Sequence, residues 1–266
     1  MNFKLSKILL STLLFSSISG HAVEWSTSNL QYRWGDQYND NGANGGEKFA
    51  KHAVQVSNTS GYDFGKSYIF ATYYKSDKND DYSSDLYMEG TLWFSLSKIL
   101  NEKLSFGPVK DVSLALGINL GEKENAYNAN TRSYLAGIDF DLNVPDFSYF
   151  GLTLWAYHNN GYFTGYGGGD FCEGHGTTYQ ITPYWARPFN IGNSKFVFDG
   201  YIDVIGSNGS CHTQYLTETQ IKLDVGNYWG KPNTFHVGVE YQYWKNKFGT
   251  KDLDERVPQI VLQWTR

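Results

Sequence analysis

Beyond residue 22, apolar and polar positions alternate with period two along most of the chain. Tyr134, Ala136, Ile138, Phe140 and Leu142 fall on one face, and Gly137, Asp139 and Asp141 on the other. Phe196, Phe198, Gly200, Ile202 and Val204 alternate with Val197, Asp199, Tyr201 and Asp203. The same holds for Phe235–Tyr243 and for Leu86–Leu96, where Tyr87, Glu89, Thr91, Trp93 and Ser95 form the polar face. This periodicity belongs to strands with unlike faces. It predicts twelve of them, over 26–34, 48–57, 62–74, 84–96, 109–120, 132–142, 147–158, 177–187, 195–206, 215–226, 234–245 and 257–264. The alternation is less clean around Leu30–Trp34 and Phe64–Tyr74.

The connectors alternate in character too. Gly35–Glu47, Ser76–Ser83, Gly121–Asn130, Asn159–Gly176, Ser207–Gln214 and Phe248–Glu255 are mostly long and polar, with tighter links between them at Asn58–Gly61, Asn143–Asp146 and Phe189–Asn193. Long loops at one end, short turns at the other and an even strand number predict an all-β fold, a transmembrane antiparallel up-and-down β-barrel. A soluble sandwich or lipocalin-like barrel also alternates. Strands of this length suit a tilted membrane crossing better than a globular sheet. Phe147, Tyr149, Trp185, Phe196, Trp229 and Trp264 recur near strand ends, where an interfacial girdle would place them.

Composition narrows the class. Of 266 residues, 17% are aromatic and only 18% charged, so Asn, Gln, Ser, Thr and Tyr carry the polarity. No run is apolar and long enough for a membrane helix, and the aromatic content argues against disorder. A net charge of −5 gives no electrostatic reason to expect nucleic acid as a partner. Met1–Ala22 has the form of a signal peptide: Lys4 and Lys7, an apolar Ile8–Phe15, then Gly20-His21-Ala22 as a small-x-small cleavage site. The expected organisation is a leader over 1–22 and an outer-membrane barrel over 23–266.

If the apolar faces meet lipid, the others line a lumen. The predicted inward set holds Arg33, Glu89, Asp139, Asp141, Asp199, Asp203, Glu218, Lys222, Asp224, His236 and Glu240. Tyr87, Trp93, Tyr149, Trp155, Tyr157, Tyr184, Tyr201 and Trp244 stand among them. Acidic groups outnumber basic ones, which predicts a pore that disfavours anions. Rings interleaved with carboxylates suit a flat, uncharged, hydrogen-bonding solute, although such residues also serve simply to fill a narrow barrel.

Other chemistry finds little support. Cys172 and Cys211 fall in two long loops at the same end, and export favours a disulfide between them. With His175 and His212 they match no metal-ligand spacing, and no cofactor is expected. His158-Asn159-Asn160-Gly161 lacks a nucleophilic serine. Gly165–Asp170 leads into no helix that could cradle phosphate. The pairs Asp139/Asp141 and Asp199/Asp203 carry no sign of a glycosidase acid, so the chain is not read as an enzyme.

Leu86–Pro108, LYMEGTLWFSLSKILNEKLSFGP, resembles a strand-turn-strand segment of the nucleoside-specific channel-forming proteins (the Tsx/OmpK family). The matching elements are Met88-Glu89, Phe94-Ser95 and Leu104-Ser105-Phe106-Gly107-Pro108. Leu135–Pro145 and Lys195–Ile205 resemble two further strands of that family. The resemblance implies a monomeric twelve-stranded barrel in outer-membrane lipid, passing nucleosides or similar small polar solutes without catalysis, with phages or colicins using its external loops as receptor. By motif match, Glu89, Asp139, Asp141, Tyr201 and Asp203 would line the path; Tyr87 and Trp93 join them from facing alone. The chain departs from the family in its cysteine pair and in Trp264, which stands two residues before the end. The competing reading is a plugged surface barrel acting through Gly35–Glu47 and Asn159–Gly176.

Overall fold

A computed structural model describes residues 23–39, 48–77, 84–123, 130–160 and 176–266. The strands are β1 (Val23–Tyr38), β2 (Phe49–Tyr62), β3 (Gly65–Ser76), β4 (Ser84–Ser95), β5 (Val109–Lys123), β6 (Asn130–Leu142), β7 (Tyr149–Asn159), β8 (Gly176–Ile191), β9 (Ser194–Ile205), β10 (Gln214–Asp224), β11 (Phe235–Lys245) and β12 (Glu255–Thr265). Every strand pairs antiparallel with its sequence neighbours. β1 also pairs with β12, from Asn29 opposite Thr265 to Trp34 opposite Ile260, and closes the barrel. Closure leaves no strand edge unpaired, as hydrocarbon requires.

The period-two faces turn out as predicted. Leu30, Val56, Leu114, Ile138, Val239 and Ile260 are among the large apolar side chains left exposed on the outside, whereas Arg33, Asp139, Glu240 and Glu255 are almost wholly buried within. A sheet that is oily outside and polar inside is the inverse of a soluble barrel, and the exposed apolar belt is the surface that lipid covers.

Several boundaries differ from the sequence reading. Asn58–Gly61, predicted as a turn, is the last part of β2, paired on both sides with β1 and β3. Asn58 there donates to Ser26 Oγ at 2.8 Å and Ser28 Oγ at 3.0 Å, so a polar, turn-like sequence is held in the sheet by side chains. The real turn is Asp63-Phe64. Likewise Phe189 pairs with Phe196 inside the β8–β9 ladder, and the hairpin turns at Gly192-Asn193, where Gly192 takes φ 59°. Leu96 is not strand but opens a short helix, α1 (Leu96–Leu100). Ser95 Oγ accepts the Lys98 N–H at 3.1 Å as an N-cap, and Asn101 closes the helix in the left-handed conformation.

The chain ends and the turns Asp63-Phe64 and Gly192-Asn193 share one rim. By the rule that barrel turns are short on the periplasmic side, this rim is periplasmic. Two connections there are longer, one holding α1 and one a 3-10 turn at Gly226–Trp229. The leader 1–22 and the loop segments 40–47, 78–83, 124–129 and 161–175 lie outside the described residues.

At the β2–β3 turn, Gly65 has φ 156°, and a Cβ there would stand 1.9 Å from the Trp93 carbonyl oxygen of β4. Backbone cannot yield as a side-chain tip can. Gly65→Ala is therefore expected to loosen the β3–β4 rim and lower the temperature at which the folded band is lost on SDS gels.

Candidate functional site: the lumen

The inner faces divide the lumen into two unlike walls. Along β10, β11, β12, β1 and β2 runs a ladder of charges and amides. Arg33 is its centre: Nη1 donates to both oxygens of Glu240 at 2.9 Å and to Glu218 Oε2 at 3.1 Å, and Nη2 donates to Gln55 Oε1 at 2.9 Å. Glu240 also accepts from Gln259 at 2.6 Å and Gln220 at 2.5 Å. Lys222 reaches Asp199 at 2.8 Å and Gln263 at 3.0 Å. Toward the outer rim, Lys51 pairs with Asp85 and Lys247 with Glu255. Buried ions need this degree of pairing to offset desolvation.

The opposite wall, β3 to β9, is aromatic. Trp93, Ala115, Leu135 and Trp155 pack together inside the barrel, with Tyr68 and Tyr157 against them. Gly151 makes room on β7, since a Cβ there would meet the Tyr184 ring at 2.1 Å. That space lets Tyr184 lie back against the wall and donate to both Asp139 oxygens at 3.0 and 3.1 Å.

The residues predicted to line the path all face inward, and the structure sorts them into groups. Tyr87, Glu89, Tyr201 and Asp203 belong to a central station. Tyr87 Oη donates to Glu89 at 2.5 Å, and Asp203 accepts from Thr182 at 2.6 Å and Gln180 at 2.9 Å. Glu89, Asp203 and Glu218 bring three carboxyl groups from β4, β9 and β10 to the same stretch of the lumen. Tyr201 is in register with Tyr184 on β8 and Glu218 on β10.

Trp93 and Asp139 belong to a second station nearer the periplasm. Asp139 accepts from Thr153 at 2.6 Å as well as from Tyr184, and the Trp93 and Tyr184 rings are 6.0 Å apart. Asp141 sits apart at the rim, 3.4 Å from Lys110. Tyr149, named from sequence both in the girdle and among the inward rings, lies inward against Tyr184 with ring centroids 6.1 Å apart.

Sequence reasoning missed Lys66, Tyr68, Phe70, Thr72 and Tyr74, the inner face of β3. It also missed Gln31, Gln55, Gln180, Gln220, Gln259 and Gln263. The available signal was a glutamine beside apolar neighbours, as Gln31 follows Leu30, Gln55 stands between Val54 and Val56, and Gln263 follows Leu262. Cys172 lies outside the described residues. Cys211 lies in the β9–β10 loop, where its backbone bonds twice with Asn208. Among the described residues, no cluster of His, Cys, Asp and Glu is placed to hold a metal ion.

A closed lipid-facing barrel with a polar, solute-sized interior is a channel of the outer membrane. The chain belongs to the family of nucleoside-specific channel-forming proteins, Tsx, whose sequence profile matches residues 27–265. A comparison with curated proteins gives no match. Among solved structures it is similar to the KdgM porin, at 10% identity and a TM-score of 0.46, covering 89% of this chain and 98% of that one. It is also similar to the NanC porin, at 11% identity and a TM-score of 0.46, covering 90% and 99%.

Removing Arg33 would leave Glu240 buried beside Glu218 without a cation. Arg33→Met is expected to cost about 3–5 kcal/mol of unfolding free energy, read from the urea midpoint of refolded barrel. Adding Glu240→Gln should restore part of it. Gly151→Ala, by pushing the mobile end of Tyr184 into the lumen, is expected to leave that midpoint nearly unchanged and to lower single-channel conductance.

Proposed function

We propose that the channel passes nucleosides by passive, selective diffusion, without catalysis. One observation carries this reading: stacking surfaces and unneutralised carboxylates face the same passage. Among the described residues, the hydrogen-bond donors to Glu89 and Asp203 are neutral, Tyr87 for one and Thr182 and Gln180 for the other. A nucleoside is a flat π-system joined to a ring of hydroxyls. Its base would slide along Tyr87, Tyr201, Tyr157 and Trp93, each contact worth about 1–3 kcal/mol of stacking. Its sugar hydroxyls would trade one carboxylate acceptor for the next, from Glu89 and Asp203 to Asp139. Sugars lack the stacking face and amino acids carry charges, so both fit the path less well.

Two further elements belong to this reading. Residues 1–22 serve as a leader removed on export, and Cys172–Cys211 bond the β7–β8 loop to the β9–β10 loop. Peptide mass mapping without reductant checks the bond, and a free thiol at either position refutes it. Use of the external loops as a phage or colicin receptor rests on segments outside the described residues.

The test is single-channel recording of refolded protein in a planar bilayer. Uridine should block the ion current saturably, and ribose should not. Trp93→Ala and Asp203→Asn should each raise the half-blocking concentration several-fold, about 1 kcal/mol apiece, with the folded gel mobility retained. Unchanged block in both variants would refute the assigned path. In a potassium chloride gradient, the zero-current potential is expected to show a preference for potassium, because carboxylates dominate the lumen.

A further inference from the structure

Lys66 reaches past its neighbouring strand. From β3 its ammonium donates to Tyr184 Oη at 3.0 Å. Tyr184 leans from β8 over Gly151 to Asp139 on β6, so the two side chains meet within the aromatic wall, in front of Trp93. Nζ lies 5.0 Å from the Trp93 ring centroid and 5.3 Å from that of Tyr184. The cation is lodged against both rings, on the surface a flat solute would use for stacking.

Three features mark this position as a placeholder and not a strut. The Asp139 carboxylate is 3.9 Å from Nζ, and its oxygens are already bonded to Thr153 and Tyr184. The Lys66 side chain keeps 30% of its exposure, against 2% for Arg33 and 3% for Lys222 in the ladder opposite. Trp93 is only 8% exposed, yet among the described residues its indole N–H has no acceptor. Trp93 also lines a cavity of about 660 Å³ at the periplasmic rim, together with Trp25, Lys66, Ser95, Ser113 and Asp141 among others. An unpaired buried donor next to a cavity of this size points to a solute that brings an acceptor.

We propose that Lys66 is the selectivity residue of the periplasmic end of the lumen. Its ammonium covers the Trp93 and Tyr184 rings and repels cations that the acidic lumen has gathered. A flat, neutral solute bearing a ring carbonyl displaces it, stacking on the Tyr184 ring while the carbonyl accepts the Trp93 N–H. The displaced ammonium turns toward Asp139. Fixed charges and orienting donors at a narrow point are a general means of selection in pores. The identity of the solute rests on the nucleoside reading above; the cation barrier does not.

Wild type, Lys66→Met and Lys66→Arg are compared in planar bilayers, with heat-modifiable gel mobility confirming the folded barrel. Lys66→Gln replaces the methionine variant if that one does not fold. Expected for Lys66→Met are a several-fold higher conductance, a zero-current potential shifted further toward potassium, and a several-fold lower half-blocking concentration of uridine, since nothing need be displaced. Lys66→Arg keeps the wild-type potential. A methionine or glutamine variant with wild-type conductance and potential overturns the cation barrier. A wild-type channel indifferent to uridine overturns the displacement step together with the nucleoside reading, while the conductance of the variants still decides the barrier.

Discussion

Everything in this molecule depends on the ladder between β1 and β12. In hydrocarbon an unpaired strand edge would leave a row of N–H and C=O groups without partners. The pairing from Asn29–Thr265 to Trp34–Ile260 removes that edge and divides space into an inside and an outside. Once the division exists, period-two alternation acquires a meaning it lacks in an open sheet. Alternate residues go to lipid, and the rest must satisfy one another across a confined lumen.

That confinement explains the two walls. Ions enter a narrow interior only with partners, and the partners gather around Arg33, which bonds Glu240, Glu218 and Gln55 at once. Rings fill the other side because Gly137, Gly151 and Ala115 leave space against the backbone for Trp155, Tyr184 and Trp93. What remains between the walls is a lumen with rings and carboxyl groups together on one side and a paired ladder of charges and amides on the other. Its chemistry follows from packing rules as much as from any dedicated motif.

The fold was largely legible in the sequence, since the strands of β4, β6, β9 and β11 each show one clean oily face. The site was legible in part. Glu89, Trp93, Asp139 and Asp203 could be assigned inward from alternation alone, because their neighbours Met88, Leu92, Ile138 and Ile202 are plainly apolar. β3 could not: Tyr68, Phe70 and Tyr74 point inward while Ile69 and Tyr73 point out, so hydrophobicity does not distinguish its faces. Lys66 was lost with it. The Asn58–Gly61 turn was misplaced because its polarity reads as a bend, when hydrogen bonds to Ser26 and Ser28 hold it straight. Contacts between strands that are not neighbours, such as Lys66 with Tyr184, join residues far apart in sequence and leave no local periodicity.

The Arg33–Glu218 and Gln31–Gln220 contacts pass over β12 and β11 to join β1 directly to β10. The junction where the two ends of the chain meet is therefore riveted from within over a span of three strands, in addition to its backbone ladder. Under lateral stretching of the membrane, such a cylinder behaves as an unbroken hoop. Its weakest line shifts away from the place where it was last closed.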